Sequence, residues 1–181
     1  PGLLWGALPC TAGVSFWDYN FAKKDGPEKW LKHWHELETI LDAWDQAADV
    51  AQAYGWDIVF EWPTGSWLWD CKRIKAMVER LRLKKTDFNG CRVNLRGNKG
   101  KLIQKTWTVA HTMPELGEIF SELTCNHPAH MHETCSGANT RGTEDYTWEM
   151  ATLVHQAFHK RAVATMNAKP NYDLQHPHAA M

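Results

Sequence analysis

Between Pro27 and Tyr54, the residues Trp30, Trp34, Leu37, Leu41, Trp44 and Ala48 recur at spacings of four and three. That spacing draws one apolar stripe down a helix, and such a stripe has to be buried against something. Asp25 stands where an N-cap belongs, Pro27 suits the first turn and Gly55 suits the stop. The flanking segments say what the helix lies on. Leu3–Leu8 is a short apolar run ending at Pro9-Cys10, and Asp57–Glu61 holds the unbroken triplet Ile58-Val59-Phe60. A run of that length between Gly55 and Pro63 reads as a strand buried on both faces. Strand, helix and strand compose a crossover unit, which sets its two strands parallel. Parallel strands end on one edge, so the Pro9-Cys10 turn and Glu61 are expected at a common rim. Open α/β sheets place their ligands there. A carboxylate at the mouth of a buried strand is costly unless it is partnered or used.

Downstream, a helix is expected from about Cys71 to Leu81 behind Asp70, and a third strand over Leu83–Phe88. Cys91–Arg96 and Leu102–Ala110 read as the arms of a β-hairpin about the turn Gly97-Asn98-Lys99-Gly100. Thr112-Met113-Pro114-Glu115 has capping-box spacing and opens a helix to about Leu123. A Cys/His-rich loop follows from Thr124 to Gly142, then a last helix from about Thr147 to Met166 with Met150, Leu153, Val154, Ala157 and Phe158 inward. The aromatic segment Thr11–Gly26 reads as a loop. The expected architecture is therefore α/β: a partial Rossmann-like, mostly parallel sheet with a β-hairpin edge and flanking helices. The Cys/His-rich loop joins the last two helices. Residues 1–167 read as one domain, and 168–181, with Pro170 and Pro177, as a flexible tail.

The balance of charge narrows the partners. Lys and Arg number 20 against 21 acidic residues, a formal net charge of −1, so no global basic field advertises nucleic acid. Any such contact has to be local, and the hairpin carrying Arg92, Arg96, Lys99, Lys101 and Lys105 is the candidate. Five cysteines at irregular spacing do not form a disulfide framework. Free thiols fit a reducing, intracellular setting, nuclear or cytoplasmic. No apolar run approaches the ~20 residues of a membrane span. The opening Pro-Gly-Leu-Leu-Trp has no basic n-region and no initiator Met. It reads as a cut inside a longer polypeptide, whose upstream part is then a partner.

Two constellations carry chemistry. Cys10, with Ser15 close by, stands at a strand end, where a thiol becomes a nucleophile if neighbours lower its pKa. The competing reading is a buried structural cysteine. The second is Cys125-Asn126-His127-Pro128-Ala129-His130-Met131-His132-Glu133-Thr134-Cys135. Cys125, His130, His132 and Cys135 would close a Cys2His2 set for zinc, although the spacing matches no standard finger. A zinc ion there is expected to staple the last helix onto the sheet. The competing readings are a polar, His-rich loop and a metal-dependent nuclease with Glu133 as its base.

A Pro-Cys turn after one strand and Phe-Glu after the next resembles the DNA cytosine-5 methyltransferases. By that resemblance Cys10 is the nucleophile that attacks a base and Glu61 the acid that orients it. Ser15 and Arg92 accompany them at the substrate, Arg92 within a loose counterpart of the family's Gln-x-Arg-x-Arg motif. Thr11 stands where the family has Gln, and Trp62-Pro63 where it has Asn-Val. The chain is also similar to a methyltransferase-like domain of dinoflagellate retrotransposon-type polyproteins. That similarity rests on Pro9-Cys10-Thr11, Phe60-Glu61-Trp62-Pro63, Gly90-Cys91-Arg92-Val93-Asn94-Leu95, Lys105-Thr106-Trp107, Cys125…His130-Met131-His132 and Thr143-Glu144-Asp145-Tyr146, over about residues 4 to 160. It implies a partial or degenerate methyltransferase-like domain of a mobile element, acting on nucleic acid. No Gly-x-Gly turn follows a strand, so S-adenosylmethionine is expected only if upstream sequence supplies its site. The alternative is a zinc-stapled structural or nucleic-acid-binding module without chemistry.

Overall fold

The computed structural model describes residues 1–13 and 21–168. Ser15, the aromatic residues Phe16, Trp17 and Tyr19, and the expected tail from Lys169 onward lie outside the described residues. The chain runs β1 (Leu3–Gly6), α1 (Gly26–Ala53), β2 (Asp57–Pro63), α2 (Lys72–Arg80), β3 (Lys84–Asn89), β4 (Thr106–His111), α3 (Pro114–Ser121), α4 (Ala138–Gly142) and α5 (Trp148–Ala168). Single 3-10 turns stand at Thr11–Gly13, Trp67–Asp70, Gly90–Val93 and Ala129–Met131.

The crossover unit is present. β1 pairs with β2 in parallel, from Leu3 opposite Asp57 to Gly6 opposite Phe60, with α1 between them in sequence. Gly55, at φ +66°, turns the chain out of α1. Gly6 is demanded by close approach, because a Cβ there would lie 2.6 Å from the Trp44 ring.

The expectation of a mostly parallel sheet has to be corrected. Among the described residues the strand order is β1-β2-β4-β3, and β4 runs antiparallel to both β2 and β3. Only the β1–β2 pair is parallel, although β3 points the same way as those two. The cause lies in side-chain character. β4 is buried on both faces from Trp107 to His111, whereas β3 exposes Lys84, Lys85 and Asp87. The apolar strand takes the centre and the charged one takes the edge. With the reversed strand inside the sheet and one parallel pair, the result is a mixed α/β sheet in place of the expected Rossmann-like one.

The expected β-hairpin is corrected as well. Gly90–Val93 coils into a 3-10 turn, and the two arms meet only at one antiparallel bridge, Arg96 to Leu102. The turn itself is in place, with the Gly97 N–H on Lys101 O at 3.0 Å and the Gly100 N–H on Gly97 O at 2.9 Å.

Both faces of the sheet are covered. Alternation along β2 sends Ile58, Phe60 and Trp62 into one apolar cluster with Leu37, Leu41 and Trp44 of α1 and Ile74 and Met77 of α2. Val59 goes to the other face, with Phe88, Trp107, Val109, Leu116 and Phe120 and with Met150 and Ala157 of α5. Glu61 follows Val59 by two, so it points into the second layer. Leu153, Val154 and Phe158 pack there half-buried.

Two caps differ from expectation. Asp70 pairs with Lys75 at 2.9 Å, and Cys71 stands at the N-cap of α2. Thr112 does not cap α3. Its hydroxyl accepts the Ile58 N–H at 2.9 Å and donates to Asp57 Oδ1 at 3.0 Å. No described helix is long and apolar enough to cross a membrane.

Candidate metal centre

The Gly90–Val93 turn drops Cys91 directly below the end of β3, against the start of the Cys/His loop. There Cys91, Cys125, His127 and His132 bring one ligand atom each to within 4.8 Å of one another. Cys91 is buried and the other three are half-buried. Cys125 Sγ lies 3.7 Å from His127 Nδ1 and 3.5 Å from His132 Nε2. A tetrahedral zinc with Zn–S ~2.3 Å and Zn–N ~2.0 Å sets S···N edges of about 3.5 Å. The two sulfur–nitrogen edges therefore already stand at ligand spacing. Without a cation, burial and the neighbouring Cys125 thiol push the Cys91 thiol up to about 12. A bound divalent cation reverses that ordering and holds both sulfurs as thiolates.

The backbone around these ligands is fixed from outside the group. Asn89 accepts the Cys125 N–H on its Oδ1 at 2.8 Å and donates from Nδ2 to Thr106 Oγ1 at 2.9 Å. Arg92 donates to Asn126 Oδ1 at 2.8 Å, tying the Cys91 turn to the Cys125 segment a second time. On the far side Leu102 donates to Met131 O and accepts from Glu133 N, so His132 is clamped between the two bonds. Lys101 reaches His130 O at 3.1 Å. A Cβ at Gly97 would stand 2.3 Å from the Glu133 carboxyl, which would have to swing away from its present bonds. Gly90 is equally constrained by Leu95 at 2.6 Å. Such outer partners orient the ligands, and losing one typically costs about 10–100-fold in metal affinity.

Sequence reasoning found half of this group. Cys125 and His132 belong to it, whereas His130 is exposed and contributes its carbonyl, and Cys135 stands apart with its sulfur 3.5 Å from Thr143 Oγ1. Cys91 and His127 replace them. The signal for Cys91 was its place in Gly90-Cys91 at a strand end. Glu133, the candidate base, accepts Lys99 N–H and Asn139 Nδ2 at 3.2 Å each.

The basic arm is used internally. Arg92, Lys101 and Lys105 reach Asn126, His130 O and Thr143 O, and Arg96 reaches Asn94 and Gly100 O.

A second cluster lies in the layer between the sheet and α5. The Tyr146 hydroxyl donates to Glu61 Oε1 at 3.0 Å and accepts the Trp5 Nε1–H at 3.0 Å. Glu61 Oε2 is enclosed and has no partner. Burial raises the Glu61 carboxyl above its ordinary range, against the Tyr146 hydrogen bond and the Lys105 charge, which lower it. Burial and the Glu61 charge push the Tyr146 phenol up in turn. Cys10 is half-buried against the apolar cluster on the α1 side of the sheet. Burial raises its thiol, Lys105 pulls it down and Glu61 raises it further. The Cys10 thiol and the Glu61 carboxyl thus pack in different layers, Cys10 against the α1-side cluster and Glu61 with Tyr146.

Beside the metal group a shallow depression of about 500 Å³ is lined by Lys105, His132, Glu133 and Cys135. No family model, no curated protein and no solved structure matches this chain.

Proposed function

We propose that this chain is a zinc-stapled, non-catalytic α/β module whose Cys91, Cys125, His127 and His132 close around one metal ion. The supporting observation is the pair of sulfur–nitrogen separations, which match the edges of a zinc tetrahedron before any metal is added. Two thiolates and two imidazoles are a donor set that suits zinc, and two thiolate charges neutralise it. Four protein ligands leave no open position, so the role is structural: the ion joins the β3 end to the loop that leads into α5. Elemental analysis of purified protein tests the reading. We expect one zinc per chain, and a cobalt-substituted form with the absorption of a tetrahedral two-sulfur site. Cys125→Ser and His127→Ala should each lose the metal, and wild-type protein that binds neither ion refutes it.

A second reading is a partial methyltransferase-like domain. It is favoured by the parallel β1–β2 pair with α1 between the two strands in sequence. S-adenosylmethionine binding, measured on this chain and on a longer one with its upstream residues, decides it. Binding by neither removes it.

A further inference from the structure

We infer that the crevice between α1 and α2 binds a small apolar carboxylate, in its simplest form a medium-chain fatty acid anion, with the chain inside and the charge at the first turn of α2. The crevice lies in the α1-side layer, so this stands apart from the metal reading. It measures about 290 Å³ and is walled by Trp34, Leu37, Leu41, Leu68 and Ile74. Small-molecule pockets start at about 300 Å³ and combine apolar walls with a few polar groups at fixed places. This one stands at the small end and takes a short alkyl chain. Its walls are set in advance. The four aliphatic side chains belong to the packed α1-side cluster. The Trp34 ring is stacked with Trp30 at 5.5 Å and with Trp67 at 5.7 Å. Little order has to be gained on binding.

The charge of the occupant follows from the polar side of the lining, which is Glu38, Lys72 and Arg73. Glu38 stands 3.6 Å from His35 Nδ1, and Arg73 is engaged by Asp42 and Asp45 at 2.7 and 2.9 Å. Lys75, one turn on, is taken by Asp70. Lys72 is exposed and is left without an ion pair among the described residues. Cys71 also lines the crevice and holds the N-cap of α2, where its side chain makes no capping hydrogen bond. The first N–H groups of that helix therefore lack a side-chain acceptor from their cap. One carboxylate answers both deficits: it accepts from those N–H groups at the positive end of the helix dipole and faces the Lys72 ammonium. A protein partner fits less well. It needs about 1,200 Å² of buried surface, and Arg73 already bridges α2 to α1 beside the crevice.

The experiment is isothermal titration of the full chain with octanoate and, separately, with 1-octanol, which has the same chain length and no charge. We expect octanoate to bind saturably and about tenfold more tightly than 1-octanol. Lys72→Met, at an exposed helix position, should remove most of that difference while 1-octanol binds as before. Cys71→Leu fills the crevice and takes no side-chain cap from α2, and it should lose both ligands. In the wild type, saturating octanoate should slow iodoacetamide labelling of Cys71 severalfold, read by peptide mass spectrometry, which tests the location without any variant. Absence of saturable octanoate binding, equal affinity for the two ligands, or Cys71 labelling that octanoate leaves unchanged each overturns the inference. Octanoate affinity that survives in folded Cys71→Leu, or is untouched by Lys72→Met, overturns it as well.

Discussion

Glu61 is the residue at which the chain departs most from a plain core strand. Its neighbours on β2 are apolar and fully buried, yet one of its oxygens is enclosed without a partner. Burial lifts its folded-state pKa above the ordinary 4.5, so ionising it costs folding free energy. Below that ordinary value the group is protonated in folded and unfolded chains alike and the cost is absent. The cost grows as pH rises from there through the raised folded value. Glu61→Gln keeps an acceptor for Tyr146 and carries no charge. We therefore expect it to melt higher than the wild type near pH 7.5 and at the same temperature near about pH 4, by thermal denaturation across that range. An advantage that stays constant with pH would mean the carboxyl is not the cause. That Glu61 was unusual could be read from the sequence, because a lone acid follows an apolar triplet. Its partner could not, since Tyr146 lies 85 residues away and no periodicity links them.

Elements were legible where a run of neighbouring residues decides their place. The stripe on α1 and the triplet on β2 fixed the crossover. β4 was misassigned to a hairpin because adjacency in sequence favours pairing with the preceding arm, whereas its two buried faces send it between β2 and β3. The metal group was half-legible for a similar reason. Residues inside the loop can be read as a set, but Cys91 arrives from the far end of β3 and only tertiary structure brings it there. Asn89 belongs to that same strand end and grips Cys125 and Thr106 at once. Asn89→Ala should weaken zinc about 10–100-fold in competition with a chromophoric chelator, with the sheet intact by circular dichroism. Arg92→Met, which unties Asn126, is expected to weaken it in the same direction by a smaller factor. Unaltered affinity in both would show that the ligands need no outside support.

At the scale of the molecule, the sheet separates two apolar layers, and the metal serves only one of them. Chelation is therefore expected to raise amide hydrogen exchange across 124–143 by orders of magnitude while α1 and β2 stay protected, and to lower the melting temperature. Exchange that rises uniformly along the chain would contradict the layered arrangement. The ion pairs joining α1 and α2, Arg73 with Asp42 and Asp45 and Arg80 with Asp45 and Asp49, lie on the other layer and are largely exposed. They add little by themselves.

The strand order also bears on how the chain is made. Among the described residues β3 has no neighbour in the sheet except β4, which is synthesised after it. While a ribosome is still short of residue 106, Lys84–Asn89 has nothing to zip against. β3 can therefore pair only once residues 106–111 have been made. Its lysines keep that waiting ribbon from sticking to its fellows on neighbouring nascent chains.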